Sequence, residues 1–130
     1  MSGRTAAYAA ALALLGCGGG ALEDRQLVST SGRLTYQVRA EGYEGSDLLP
    51  WNNSGTQAVV DWKGTALTAG SVTLQLVDGA GTPLYEKTAT PGSVPAVSTT
   101  EVQGVTGDWK ATVLFREATG TVALELQGAR

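Results

Sequence analysis

From residue 34 onward, apolar and polar residues alternate in short runs. Leu34, Tyr36 and Val38 are separated by Thr35, Gln37 and Arg39. Ala58, Val60 and Trp62 alternate with Val59, Asp61 and Lys63, and Val72, Leu74 and Leu76 with Thr73, Gln75 and Val77. Near the end, Trp109, Ala111, Val113 and Phe115 alternate with Lys110, Thr112, Leu114 and Arg116. Val122, Leu124 and Leu126 then alternate with Thr121, Ala123, Glu125 and Gln127. Successive side chains of a strand point to opposite faces, so a period of two predicts strands with one buried face. Residues 83–87 and, more weakly, 98–103 extend the set to about seven short strands. No window after the first twenty residues carries a 3.6-residue apolar stripe. The pattern predicts an all-β antiparallel sandwich or barrel.

Turn chemistry punctuates these runs. Asp78-Gly79-Ala80-Gly81 predicts a β-hairpin, because Asp and Gly tolerate the positive φ of tight turns. Glu117-Ala118-Thr119-Gly120 is expected to join the last two strands in the same way. Pro91, Gly92 and Pro95 mark one loop, and Asn52-Asn53-Ser54-Gly55 another. The closing stretch, Gly107-Asp108-Trp109-Lys110-Ala111-Thr112-Val113 followed by Gly120-Thr121-Val122-Ala123-Leu124, resembles the final hairpin of small jelly-roll-like domains. Such domains are attached to secreted bacterial proteins, as the prepeptidase C-terminal and convertase P domains are. That resemblance implies a jelly-roll-like β-sandwich, expected over residues 32–130.

The first twenty residues read differently. Arg4 and the amino terminus make a short positive region, and residues 5–15 are uncharged and rich in Ala and Leu. A spanning helix needs about 20 apolar residues, so this run suits a signal peptide instead. Leu14-Leu15-Gly16-Cys17 follows it and resembles the lipobox of bacterial lipoproteins, although a small residue is commoner where Leu15 stands. The resemblance implies recognition of Leu14, Leu15 and Gly16 by a signal peptidase, cleavage before Cys17 and a diacylglycerol on the Cys17 thiol. Residues 1–16 are then a signal peptide, and 17–31, opening on Gly18-Gly19-Gly20, a flexible lipidated tether; residues 28–31 could instead begin a strand. One acyl chain holds a membrane only marginally, whereas two anchor it. The implied place is the cell envelope. Gly18 rather than Asp after the Cys implies the outer membrane sooner than the inner, if the source is Gram-negative.

Composition narrows the chemistry. The 130 residues include one Cys and no His, which removes His-based triads, imidazole metal ligands and any internal disulfide. The formal net charge is −3, and loss of Arg4 with the leader makes it one unit more negative, so no nucleic-acid partner is expected. Gly42-Tyr43-Glu44-Gly45 lacks the Lys-Ser/Thr pair of a phosphate loop, and no cofactor is expected. Asp61, Asp108, Glu117 and Glu125 could form a glycosidase pair, yet nothing in the sequence places two of them together. Lys63, Lys87 and Lys110 fall in strand patterns and are assigned to solvated faces. Asp78 and the Glu41, Glu44, Asp47 group are the places for calcium, with turn and solvated-loop roles as the default. Trp62 and Trp109 fall in phase with apolar faces and are assigned to the core. Trp51, after Pro50, is the one candidate for an exposed ring contacting a ligand, with Asp47, Asn52 and Asn53 as polar neighbours. The expectation is a non-enzymatic accessory or interaction domain, held to the membrane by lipid and meeting an envelope protein. The alternative is a module binding carbohydrate or cell-wall glycan through Trp51, and a carboxylate-based glycoside hydrolase is the outsider.

Overall fold

The computed structural model describes residues 20–129. Leu14, Leu15, Gly16 and Cys17 lie outside the described residues. The chain is all-β: β1 (Ala21–Thr30), β2 (Arg33–Asn53), β3 (Gln57–Asp61), β4 (Ala66–Val77), β5 (Pro83–Ala89), β6 (Ser98–Thr99) and β7 (Gly107–Ala129). All pairings are antiparallel, in the order β1-β2-β7-β3-β6, with β4 joining β7 to β5.

Two strands are too long to be straight. At about 3.3 Å per residue, a strand the length of β2 would reach roughly 70 Å. Instead the Gly32 amide donates to the Asn52 carbonyl at 3.0 Å, and Tyr36 donates its hydroxyl to Asp47 at 2.7 Å. β2 therefore folds back on itself, and β7 folds beside it. Register shifts mark the bends: between Ala40 and Gly45 in β2, and between Leu67 and Ser71 in β4. In β7 Glu117 takes a φ of 45°. Gly70 permits the third bend, since it holds a φ of 73° and a Cβ there would overlap the carbonyl oxygens of Arg116 and Glu117.

The result is the expected antiparallel β-sandwich. One layer holds β1, the first half of β2, the second half of β7, β3 and β6. The other holds the second half of β2, the first half of β7, β4 and β5. The bends gather at one end. At the far end lie the turns at residues 31–32, 54–56 and 78–82. Every residue assigned inward by alternation is buried between the layers, from Leu34, Tyr36 and Val38 to Val122, Leu124 and Leu126. Trp62 and Trp109 join them, as expected. Asp78 also fulfils its turn role, accepting from the amides of Ala80 and Thr82 in the β4–β5 hairpin.

Three expectations need correction. Residues 21–30, assigned to the tether, form β1 against the first half of β2. Leu22 and Leu27 both pack on the core although an odd spacing separates them, because a bulge between Glu23 and Gln26 restores their phase. Next, Glu117-Ala118-Thr119-Gly120 is not a hairpin. The runs on either side of it are the two halves of β7, each paired with β2 rather than with the other. Last, residues 50–53 belong to β2. Pro50 is tolerated there because the second half of β2 is an edge of its layer, where the missing N–H leaves no ladder bond unmade.

One long side of the sandwich is sealed by side chains. Arg25 on β1 grips Asp47 on β2 through two bonds, at 2.6 and 3.0 Å, and its guanidinium lies 5.7 Å from the centre of the Tyr36 ring. Ser29 donates to the Pro50 carbonyl at 3.1 Å. The other long side, between β5 and β6, is open.

Candidate functional site

The open side follows from how little strand the chain supplies there. β6 pairs with β3 through Val59 and Val60 only, and the segment around it is broken by Pro91, Gly92 and Pro95. β5 pairs with β4 alone. Its alternation breaks at Leu84 and Tyr85, which are adjacent and both buried. Leu84 packs toward Gly104, whereas Tyr85 reaches the layer opposite and accepts a hydrogen bond from Trp62 Nε1 at 3.0 Å. Burial pushes the Tyr85 hydroxyl above its ordinary pKa, while its hydrogen bonds with Trp62 and Ser98 pull the other way.

A cleft of about 250 Å³ lies between Leu84–Lys87 on β5 and Ser98, Thr99, Glu101 and Val102 opposite. A second hollow of about 350 Å³ shares Leu84, Tyr85 and Glu86 and continues to Gln75 and Val77. Small-molecule pockets usually span about 300–1,000 Å³; the cleft falls just below that range and the second hollow at its lower end, room enough for a side chain or an extended segment. The rim is apolar. Of the six large hydrophobic residues exposed among the described residues, Val94, Val97, Val102 and Val105 lie in the segment between β5 and β7 that borders this side. The loop is anchored despite its exposure. Asp78 accepts from the Val105 amide at 2.8 Å, the Val105 carbonyl accepts from Trp109 Nε1 at 2.7 Å, and the Gly104 amide donates to the Thr56 carbonyl at 2.7 Å. The amides around Asp78, that of Thr82 foremost, hold its carboxyl below the usual carboxylate range against the opposing pull of desolvation. Val105 is thus exposed yet held in place by its backbone.

Trp51 is not an exposed ring. It is 2% exposed, faces the core from β2 and meets Trp109 edge-on at 5.7 Å between ring centres. Its Nε1 finds no hydrogen-bond partner among the described residues. The polar residues expected beside it are occupied elsewhere: Asp47 by Arg25 and Tyr36, Asn52 by Asp108, and Asn53 by the Gln57 carbonyl and the Gly55 amide.

The carboxylates also differ from expectation in one respect. Asp61 and Glu125 stand directly opposite on β3 and β7. They occupy the outer face of a layer, where Arg33 pairs with Glu125 and the Lys63 amide donates to Asp61 at 2.8 Å. Asp108 lies at the far end with Asn52, and Glu117 is exposed at the bend. Glu41 and Glu44 flank the bend of β2, while Asp47 serves the sealed side. No group of three His, Cys, Asp or Glu among the described residues is disposed to hold a metal.

The alternation did not reveal the exposed valines, because Val97, Val102 and Val105 fall outside any regular strand. The only sequence signal was a long run between two strand patterns that is rich in Val yet interrupted by Pro and Gly.

No family model matches the sequence, and no curated protein matches it. Among solved structures, the chain is similar to procruciferin, an 11S globulin from Brassica napus, at 17% identity and a TM-score of 0.36. The match covers 75% of this chain and 21% of the globulin chain, so this chain spans about a fifth of that structure's length.

Proposed function

We propose that this chain is a lipid-anchored envelope protein whose sandwich domain works by binding a protein partner rather than by catalysis. The observation that carries the reading is the order Arg4, uncharged residues 5–15, Leu14-Leu15-Gly16, then the sole Cys of the chain at position 17. A lone thiol at that point suits lipid attachment, and two or more acyl chains on it would hold the protein stably. Anchoring raises the local concentration of the domain near other envelope components, so a modest contact surface suffices. The open side, with its cleft and the exposed valines, is the surface assigned to that contact. The glycan reading has lost its exposed ring and is not carried further.

Labelling with a palmitate analogue and mass spectrometry of the mature amino terminus test the anchor. The expected result is a lipid-modified Cys17 as the first residue. A retained leader or a bare thiol at Cys17 overturns it. Crosslinking from Val102 in native membranes tests the surface, with capture of one defined envelope protein expected and no specific adduct counting against it.

A further inference from the structure

The strand β1 leaves almost no tether. Gly20 is packed against the bend of β2, with a φ of 61° and no room for a Cβ beside the Glu41 carbonyl, and Ala21 already pairs with Glu41. Three residue steps separate Gly20 from Cys17, and fully extended they reach only roughly 11 Å. The chain also departs from a defined place, the end of the sandwich where β2, β4 and β7 bend.

The geometry points to a fixed pose: the bend end of the sandwich is the membrane-facing surface, seated next to the lipid headgroups, and the turns at the far end are directed away. This rests on the lipidated Cys17 proposed above. A tether of about 11 Å is shorter than the domain is long, since the eleven steps from Ala69 to Ala80, along β4 and into its hairpin, cover roughly 30 Å. The domain cannot turn its far end to the bilayer without detaching from Cys17 or unzipping β1.

The bend end carries its own charge pattern. Glu23, Asp24, Glu41, Glu44 and Glu117 gather there against Arg39 and Arg116. Arg39 is already engaged by Glu23, Asp24 and Glu41, and Glu44 accepts from the Glu117 amide at 3.2 Å. The surplus is anionic, so this end gains no electrostatic attraction to phosphate headgroups, and the short covalent tether is what holds it beside the bilayer. The pose leaves Val102, Val105 and the mouth of the cleft facing the space where partners are met.

Energy transfer from the protein to the membrane tests the pose. Full-length lipidated protein carrying Ala69→Cys at the bend end, or Ala80→Cys at the far end, is labelled with a donor dye. Both residues are exposed, and the lipidated Cys17 does not react. Each variant is reconstituted into phosphatidylcholine vesicles with a headgroup-labelled acceptor lipid, and flotation is recorded first. The expected result is severalfold stronger transfer from Ala69→Cys than from Ala80→Cys, repeated by Thr68→Cys against Ser54→Cys. Inserting about 20 Gly and Ser residues between Gly18 and Gly19, which adds roughly 25 Å of mean reach, is expected to abolish the difference. Equal or reversed transfer from protein that floats with the vesicles overturns the pose and leaves the anchor standing. Protein that carries no lipid and fails to float overturns both.

Discussion

On one long side of the sandwich, β1 lies along β2 for ten residues and Arg25, Asp47 and Tyr36 lace the two layers together. On the other side, β6 contributes only Ser98 and Thr99, and the Tyr85 hydroxyl, hydrogen-bonded with Trp62 and Ser98, is the link at the base of the cleft. The two sides enclose the same core and differ in what the chain supplies to cover it. Where it supplies a full strand and a charged clasp, the edge is shielded from other chains. Where it supplies a proline-broken loop, apolar side chains remain in solvent. A protein that only needed to be stable would gain by closing both edges, so the open one is where the proposed contact is placed.

The largest expected effect concerns the residue that sequence placed on the surface. Trp51→Ala removes a buried ring on the sealed side and its edge-on contact with Trp109, and should cost about 3–5 kcal/mol in urea unfolding. A loss below about 0.5 kcal/mol would mean a solvent-exposed ring, and the comparison of the two sides would collapse with it.

Next comes the clasp itself. Asp47→Ala leaves the buried Tyr36 hydroxyl without its acceptor, a cost of about 1–3 kcal/mol. The pair with Arg25 adds at most about 1 kcal/mol, because the guanidinium is exposed and screened. Tyr85→Phe, the matching change on the open side, should cost less, about 1 kcal/mol, since water entering the cleft can satisfy Trp62 Nε1. Equal costs would show that the cleft is as dry as the sealed side.

What the sequence disclosed, and what it hid, follows the same physics. Alternation is a faithful signal wherever a strand keeps its phase, which is why Leu34, Tyr36, Val38, Val72, Leu74 and Leu76 all proved buried. It fails at a bulge. Leu22 and Leu27, or Phe115 and Ala118, stand an odd number of residues apart and read as opposite faces, yet one extra residue in the strand returns both to the core. Hence β1 looked like tether and β7 looked like two strands. Pro50 and the Asn pair imitated a loop at an edge where Pro is harmless. The open side was hidden for another reason: no local pattern distinguishes a valine left in solvent from one that packs within its own chain.

Alkaline pH distinguishes the two sides through their tyrosines. Burial, then the hydrogen bond to Asp47, pushes the Tyr36 hydroxyl far above its ordinary pKa, whereas Tyr85 is raised by burial against its hydrogen bonds with Trp62 and Ser98. An unfolded tyrosine ionises near pH 10. Above that the unfolded chain sheds a proton that the folded chain keeps, so stability is full below about pH 10 and falls as pH rises. The fall is at most about 1.4 kcal/mol per pH unit for each tyrosine. In urea titrations between about pH 9 and 12, Tyr36→Phe should flatten this slope more than Tyr85→Phe. The reverse order would place the better-shielded hydroxyl on the open side.

The smallest expected change in stability carries the most functional weight. Val97 and Val102 are 58% and 53% exposed, so neither contributes much to the core. Replacing both by Ser should leave the urea midpoint within about 0.5 kcal/mol of the parent. The same double change should abolish the adduct formed by a crosslinker on Lys87, which lines the cleft without belonging to the valine rim. A partner that seats on the rim must bury these side chains, and each apolar group lost from a desolvated contact weakens it by more than its loss costs the free domain. Val28→Ser and Leu48→Ser, on exposed residues of β1 and β2, serve as the matched control and should leave the adduct intact. If both pairs behave alike, exposure alone is being measured, and the open side has no privilege over the sealed one.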